Sequence, residues 1–209
     1  MDNKKRNLFI TQFGYLLAIE AIVCFTPLGS LPIGPIVATL SMLPVIITAI
    51  LLGTKAGMLM GGFFGLFSFI VWTFMPPNPA FAFVFTPFTQ IDMVSGNVLS
   101  LLICFVPRIL IGFTTGVIYN ALNKKIPQKA VVSFSISAIA GSLTNTFGVL
   151  GGIWLFFGSQ YSSLAGELMV VIVGTTILIN GSLESVISAF VSSAVCRPIK
   201  RIYSQKANS

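Results

Sequence analysis

Six apolar runs, each long enough to cross a bilayer, fill most of this 209-residue chain and decide its solvent. They fall at approximately 8–26, 33–52, 55–75, 97–119, 130–156 and 168–195. About 20 apolar residues at 1.5 Å each span a hydrocarbon core. Charged residues make up 8% of the chain, against roughly 25% in soluble domains. The expected fold is therefore an all-α integral membrane protein, a six-transmembrane-helix bundle in which residues 1–209 form a single membrane domain. The gaps hold turn formers: Pro27, Gly29, Pro32 and Pro35, then Gly53, then Pro76-Pro77-Asn78-Pro79, then Asn123 and Pro127, then Gly158 to Gly166. Pro44 and Pro107 are expected to kink the second and fourth spans. The first run follows Lys4-Lys5-Arg6, has no small-x-small cleavage site, and reads as a retained helix.

The net charge of +7 is a topology signal. Lys4, Lys5 and Arg6 precede span 1, and Lys55 lies between spans 2 and 3. Lys124, Lys125 and Lys129 lie between spans 4 and 5, while Arg197, Lys200, Arg201 and Lys206 follow span 6. An even number of crossings puts all of these on one side, which the positive-inside rule makes cytoplasmic, together with both termini. Nucleic acid is not needed to explain the charge; the C-terminal cluster is expected to touch anionic lipid.

Several chemistries lack their parts. The chain has no histidine, which removes Ser-His and Cys-His nucleophiles and His-based zinc sites. Its only aspartates are Asp2 in the tail and Asp92 in a loop. Cys24, Cys104 and Cys196 are too far apart for a metal or redox motif and read as buried filler. No Gly-x-x-x-x-Gly-Lys-Ser/Thr loop is present, so any active transport draws its energy from partners. Neither an enzyme nor a metal or cofactor site is expected.

Three ionisable residues sit within predicted spans: Glu20, Arg108 and Glu184. At membrane depth such groups face the bundle interior, paired or hydrogen-bonded, and a guanidinium cannot shed its charge. Arg108, Asn145 and Asn180 each lie 11 or 12 residues from the outer end of a span, roughly 17–18 Å deep. Each belongs to a small or polar stripe at i+4 spacing: Ser100, Cys104, Arg108, Gly112 and Gly116; Ser137, Gly141 and Asn145; Thr176, Asn180, Glu184, Ser188 and Ser192. Two readings stand at this point. The stripes line a polar binding pocket, or an Arg108–Glu184 ion pair locks spans 4 to 6 together.

The loop 76–96 carries Phe81, Phe83, Phe85 and Phe88 in an extended-looking segment. It is either an interfacial aromatic belt or a lid over an outward-facing pocket. Gly57, Gly61 and Gly65 on span 3 suit close helix packing. On span 1, Gly14 and Ala18 lie roughly 140° around from Glu20 at 100° per residue. With Glu20 inward, they form a flat outward patch fit for another protein's helix.

A set of short motifs then becomes informative in its order: FTPLGSLPIGP at Phe25–Pro35, LLGTKAG at Leu51–Gly57, FVFTPF at Phe83–Phe88, FVPRILIG at Phe105–Gly112, GSLTNT at Gly141–Thr146 and INGSLE at Ile179–Glu184. Over nearly its whole length the chain resembles the substrate-binding S components of energy-coupling-factor (ECF) vitamin transporters, most of all the pantothenate-specific members. The resemblance implies a multi-pass cell-membrane subunit that binds a small-molecule vitamin near the outer face. It also implies docking on an ECF transmembrane coupling protein with two cytoplasmic ATPase subunits. The substrate-binding candidates are Arg108, Asn145, Asn180, Glu184, Phe85 and Trp154. Gly14 and Ala18 stand where the family has an AxxxA-type docking patch, with glycine replacing the first alanine. Pantothenate offers a carboxylate for Arg108 and amide and hydroxyl groups for the asparagines. Hydroxymethylpyrimidine or pyridoxine, with Glu184 on a ring nitrogen or hydroxyl, is the alternative. A channel-like or homo-oligomeric membrane protein is a second.

Overall fold

The computed structural model describes residues 3–33, 36–91, 94–166 and 168–207. Asp2, Pro35 and Asp92, assigned above to a tail and loops, lie outside the described residues. In chain order the elements are α1 (Asn3–Cys24), a hairpin of β1 (Ser30–Ile33) and β2 (Ile36–Thr39), α2 (Met42–Leu52) and α3 (Thr54–Phe74). A 3-10 turn at Pro79–Val84 and a small hairpin of β3 (Gln90–Ile91) and β4 (Val94–Ser95) follow. The chain ends with α4 (Val98–Lys125), α5 (Ala130–Ala165), α6 (Met169–Thr176), a π-turn (Ile177–Gly181) and α7 (Ser182–Ala207).

Among the described residues five helical stretches are long and apolar enough to cross a membrane. The second expected span, 33–52, is not one of them. Its first half pairs as an antiparallel hairpin, Ser30 opposite Thr39 and Leu31 opposite Ala38. The helix begins only at Met42 and is 11 residues long, roughly 16 Å. Proline explains the change. Pro32 cannot donate a helical hydrogen bond, and Pro44 is tolerated in a first turn but not in a helix interior. Pro44 therefore sits near the start of α2 instead of kinking a longer helix.

Short as it is, α2 is the axis of the bundle. Its residues from Pro44 to Ile50 are all buried, which an all-round apolar helix requires. It packs against α1, α3, α4 and α7, while α3, α4, α5 and α7 contact one another in sequence around it. Met42, Ile46 and Ile50 join Met60, Phe64, Ile111 and Phe134 in the central apolar cluster.

Glycine sets how closely α3 and α4 approach. A methyl group at Gly112 would overlap the backbone of Gly57, and one at Gly61 the Arg108 carbonyl. Gly57, Gly61 and Gly65 of α3 thus pack within the bundle. The loops also differ from expectation. α5 runs straight through Gly158 and stops at Gly166, whose φ of 69° provides the left-handed cap. The aromatic loop is a 3-10 turn started by Asn78, which accepts the Ala80 N–H at 3.2 Å, and not an extended strand. Apart from Arg108, the basic residues named above fall at one end of the bundle, where Lys200 donates to Tyr119 (2.7 Å) and lies 4.3 Å from its ring centroid.

Replacing Gly112 by Leu should lower melting in detergent by the equivalent of about 1–3 kcal/mol of overpacking. Leu at Gly62, where an added Cβ meets nothing within 4 Å, should leave it nearly unchanged. Equal melting of the two variants would remove the close α3–α4 contact from the account.

Candidate functional site

At the end opposite the basic loops and tails, the bundle holds a partly open polar cavity. α3 contributes Phe64, Ser68 and Trp72, and the 3-10 turn and its cap contribute Phe81 and Phe85. Arg108 comes from α4, Asn145 and Thr146 from α5, Thr176 from α6, Asn180 from the π-turn and Glu184 from α7. The sequence stripes thus converge on one space, five of whose residues (Arg108, Asn145, Thr176, Asn180 and Glu184) are at most 5% exposed.

Arg108 is held there by its neighbour in sequence. Pro107 lacks an N–H, so the carbonyl four residues back, on Ile103, has no helical donor. Arg108 Nη1 curls back and donates to that carbonyl at 2.7 Å. The guanidinium carbon then lies 5.5 Å from the Phe64 ring centroid and 5.3 Å from that of Phe85. Cation–π contacts of this kind are worth about 0.5–2 kcal/mol each, more when desolvated. Phe85 is fixed in turn by Trp72, stacked at 4.4 Å. Nε has no protein hydrogen-bond partner, so the guanidinium keeps unused donor capacity on a residue that lines the cavity.

Glu184 does not pair with Arg108. Its Oε1 accepts the Thr39 N–H at 2.6 Å and its Oε2 accepts the Thr146 hydroxyl at 3.3 Å. The carboxylate therefore ties the end of the β1–β2 hairpin to α5 and α7. Strand backbone at this depth is tolerable because it lines a cavity inside protein. Among the described residues no Arg108–Glu184 ion pair forms: the carboxylate is turned to Thr39 and Thr146, and Arg108 to the Ile103 carbonyl.

Two further polar atoms in the cavity wall, Asn145 Oδ1 and Thr176 Oγ1, have no protein partner. Buried polar groups are nearly always satisfied, and these two face a space where a bound molecule would satisfy them. The π-turn directly after Thr176 widens the helix by one residue and carries Asn180; such turns often mark functional sites.

The rest of the wall is aromatic. Phe81 stacks on Tyr161 at 4.3 Å and Phe83 meets Phe157 edge-on at 5.6 Å. The turns of α5 beyond residue 156, read as loop from the sequence, supply both partners. Phe85 lines the cavity as expected. Trp154 does not: it is 53% exposed and absent from the lining. On α5 it lies 9 residues from Asn145, half a turn round from that face at 100° per residue. Trp72, Tyr161, Phe64 and Thr39 were missed. Aromatics on apolar helices carry no sequence mark that separates cavity from core, and Thr39 acts through its backbone.

On α1, Glu20 is fully buried and accepts the Cys24 thiol at 3.2 Å. Gly14 and Ala18 are exposed, and nothing lies within 4 Å of a Cβ built on Gly14. The patch and the acid occupy opposite faces, as the helical phase predicts.

Residues 8–196 match the family described as ECF transporter, substrate-specific component. The chain is 35% identical over 162 residues to the pantothenic acid transporter PanT of Lactococcus lactis subsp. cremoris, covering 77% of this chain and 76% of that one. It is 31% identical over 158 residues to the pantothenate transporter PanT of Leuconostoc mesenteroides, covering 71% and 68%. The solved structure of ThiT from Listeria monocytogenes superposes with a TM-score of 0.59 at 18% identity, covering 92% of this chain and 97% of that one, and shares the fold. The chain is therefore a multi-pass membrane protein that belongs to the substrate-specific components of ECF transporters.

Proposed function

We propose that this subunit binds pantothenate in the Arg108 cavity and delivers it inward with an ATPase-driven ECF coupling module. The observation that carries the ligand is the state of Arg108: a buried guanidinium, flanked by Phe64 and Phe85, with no carboxylate partner and a free Nε. A carboxylate ligand supplies the missing charge and the bidentate geometry. Asn145 Oδ1 and Thr176 Oγ1 then accept from the ligand's amide and hydroxyl groups. The PanT relatives support the same vitamin. Pyridoxine-type ligands fit less well, because Glu184 is already engaged by Thr39 and Thr146. In this reading Glu184 is a positioning residue that holds the hairpin over the site.

The proposed topology has six crossings, with α2 and the β1–β2 hairpin together making the second and both termini cytoplasmic. Single cysteines at Asn78 and Gln160 should react with a membrane-impermeant thiol reagent in intact cells, and one at Asn123 should not. Labelling at Asn123 would invert the assignment.

Gly14 and Ala18 are proposed as the docking face for the coupling protein, which carries two cytoplasmic ATPases. Their exposure, with open space over Gly14, supports this. Gly14→Leu with Ala18→Leu should abolish uptake in cells yet leave ligand affinity and melting of the isolated subunit unchanged. Surviving uptake would move the docking face elsewhere.

For the site itself, a charge-assisted hydrogen bond is worth about 1.5–3 kcal/mol. Arg108→Gln should therefore weaken pantothenate binding roughly 10- to 150-fold. Arg108→Lys should recover only part of this, since an ammonium cannot make the two-pronged contact. Arg108 and Glu184 share no hydrogen bond but still interact electrostatically across the cavity, so a double-mutant cycle in melting temperature should show a small coupling instead of the large one that an ion pair gives. Full-strength binding by folded Arg108→Gln would reject the carboxylate anchor.

A further inference from the structure

The polar cavity has an apolar neighbour. A second, more open and mostly apolar chamber lies where the chain leaves α1 and α3. Phe25, Pro27, Met75 and Pro77 line it, together with Cys24 and Val71. Cys24 and Val71 also line the polar cavity, so two small side chains form the partition between the chambers. The Phe25 ring in its wall packs on Phe67, with centroids 5.6 Å apart.

The partition lies beside the Arg108 end of the cavity. Arg108 rests between Phe64 and Phe85, and Phe85 stacks on Trp72, the residue next to Val71 on α3. Asn145, Thr146 and Glu184 come from α5 and α7. A ligand whose carboxyl end meets Arg108 thus presents that end to the apolar chamber.

We propose that the chamber is a subsite for an alkyl chain extending from the ligand's carboxyl end, so that the subunit also binds N-alkyl amides of its vitamin. The inference rests on the pantothenate reading above. An amide carbonyl still accepts from Arg108 but lacks the charge. The shortest amide should therefore bind more weakly than the vitamin, and chain length should restore the loss. Burial of one methylene corresponds to about a fourfold gain in affinity.

The test is competition by N-methyl to N-hexyl pantothenamides against labelled pantothenate on the detergent-purified full chain. The expected series starts below pantothenate and climbs about fourfold per methylene until the chamber is filled. Thr26→Trp, at another residue lining the chamber, should flatten the climb without changing pantothenate affinity. Should that variant fail to fold, Met75→Asp at the 55% exposed rim should lower the slope in the same way. A flat series on protein that binds pantothenate overturns the subsite and leaves the vitamin assignment standing. A climb that persists in both variants reports partition into detergent and overturns it as well. Absence of pantothenate binding removes the vitamin assignment and the subsite together.

Discussion

The site depends on a gap in a hydrogen-bond ladder. A proline in the middle of a membrane helix leaves one carbonyl without its donor, and in lipid no water is at hand to replace it. Here the residue after Pro107 is an arginine, whose Nη1 fills the gap on Ile103 at 2.7 Å. Each group resolves the other's difficulty. The carbonyl gains a donor, and the guanidinium gains a fixed position at a depth where it would otherwise seek the interface. What remains of its hydrogen-bonding capacity stays unused on a residue that lines the cavity, between two aromatic faces. The anchoring charge is thus preorganised before any ligand arrives, and little side-chain ordering is left to oppose binding.

That position is reinforced from behind. Gly61 brings the α3 backbone against the Arg108 carbonyl, and Gly148 lets α5 close over Pro107. Any side chain at either glycine would displace the helix that carries the charge. The aromatic 3-10 turn is locked to the same unit, since Ser100 at the start of α4 donates to the Phe83 carbonyl at 2.7 Å. Glycine seams and polar cavity are consequently one construction. Helices that pack without side chains between them fix the wall from which Arg108, Phe64 and Phe85 project.

Much of this was legible in the sequence, and the reasons differ by residue. Arg108, Asn145, Asn180 and Glu184 stood out because polar groups on apolar helices must face protein, and i+4 spacing fixed which face. The Gly14/Ala18 and Glu20 faces followed from the same phase. Hydropathy could not reveal that residues 33–52 divide into a hairpin and a short helix, because β-branched apolar residues such as Ile36 and Val37 read alike in a buried strand and a buried helix. It also placed the end of span 5 too early, since Gly158 is permitted inside a helix that tertiary contacts favour. Trp154 was misjudged because aromatic character alone does not distinguish a lipid-facing residue from a cavity residue. Both partners of Glu184, Thr39 and Thr146, were invisible as such: one acts through a backbone N–H set by the hairpin, the other through a hydroxyl on an already polar stripe.

α1 raises a different question of orientation. It is apolar on nearly every side, and Leu8, Ile10, Tyr15, Ile19 and Ile22 are all substantially exposed. Hydrophobic burial therefore gives it little preference for one azimuth over another. Glu20 supplies the preference. Buried, its carboxyl accepts the Cys24 thiol; rotated outward, it would face acyl chains at a cost of several kcal/mol for a charged group at depth. One acidic residue thus fixes the rotation of the helix, and with it the direction of the flat Gly14/Ala18 surface. Cys24, four residues on, also belongs to the wall of the ligand cavity. The helix that carries the Gly14/Ala18 surface thus also supplies part of the cavity wall, so the positions of the two are linked.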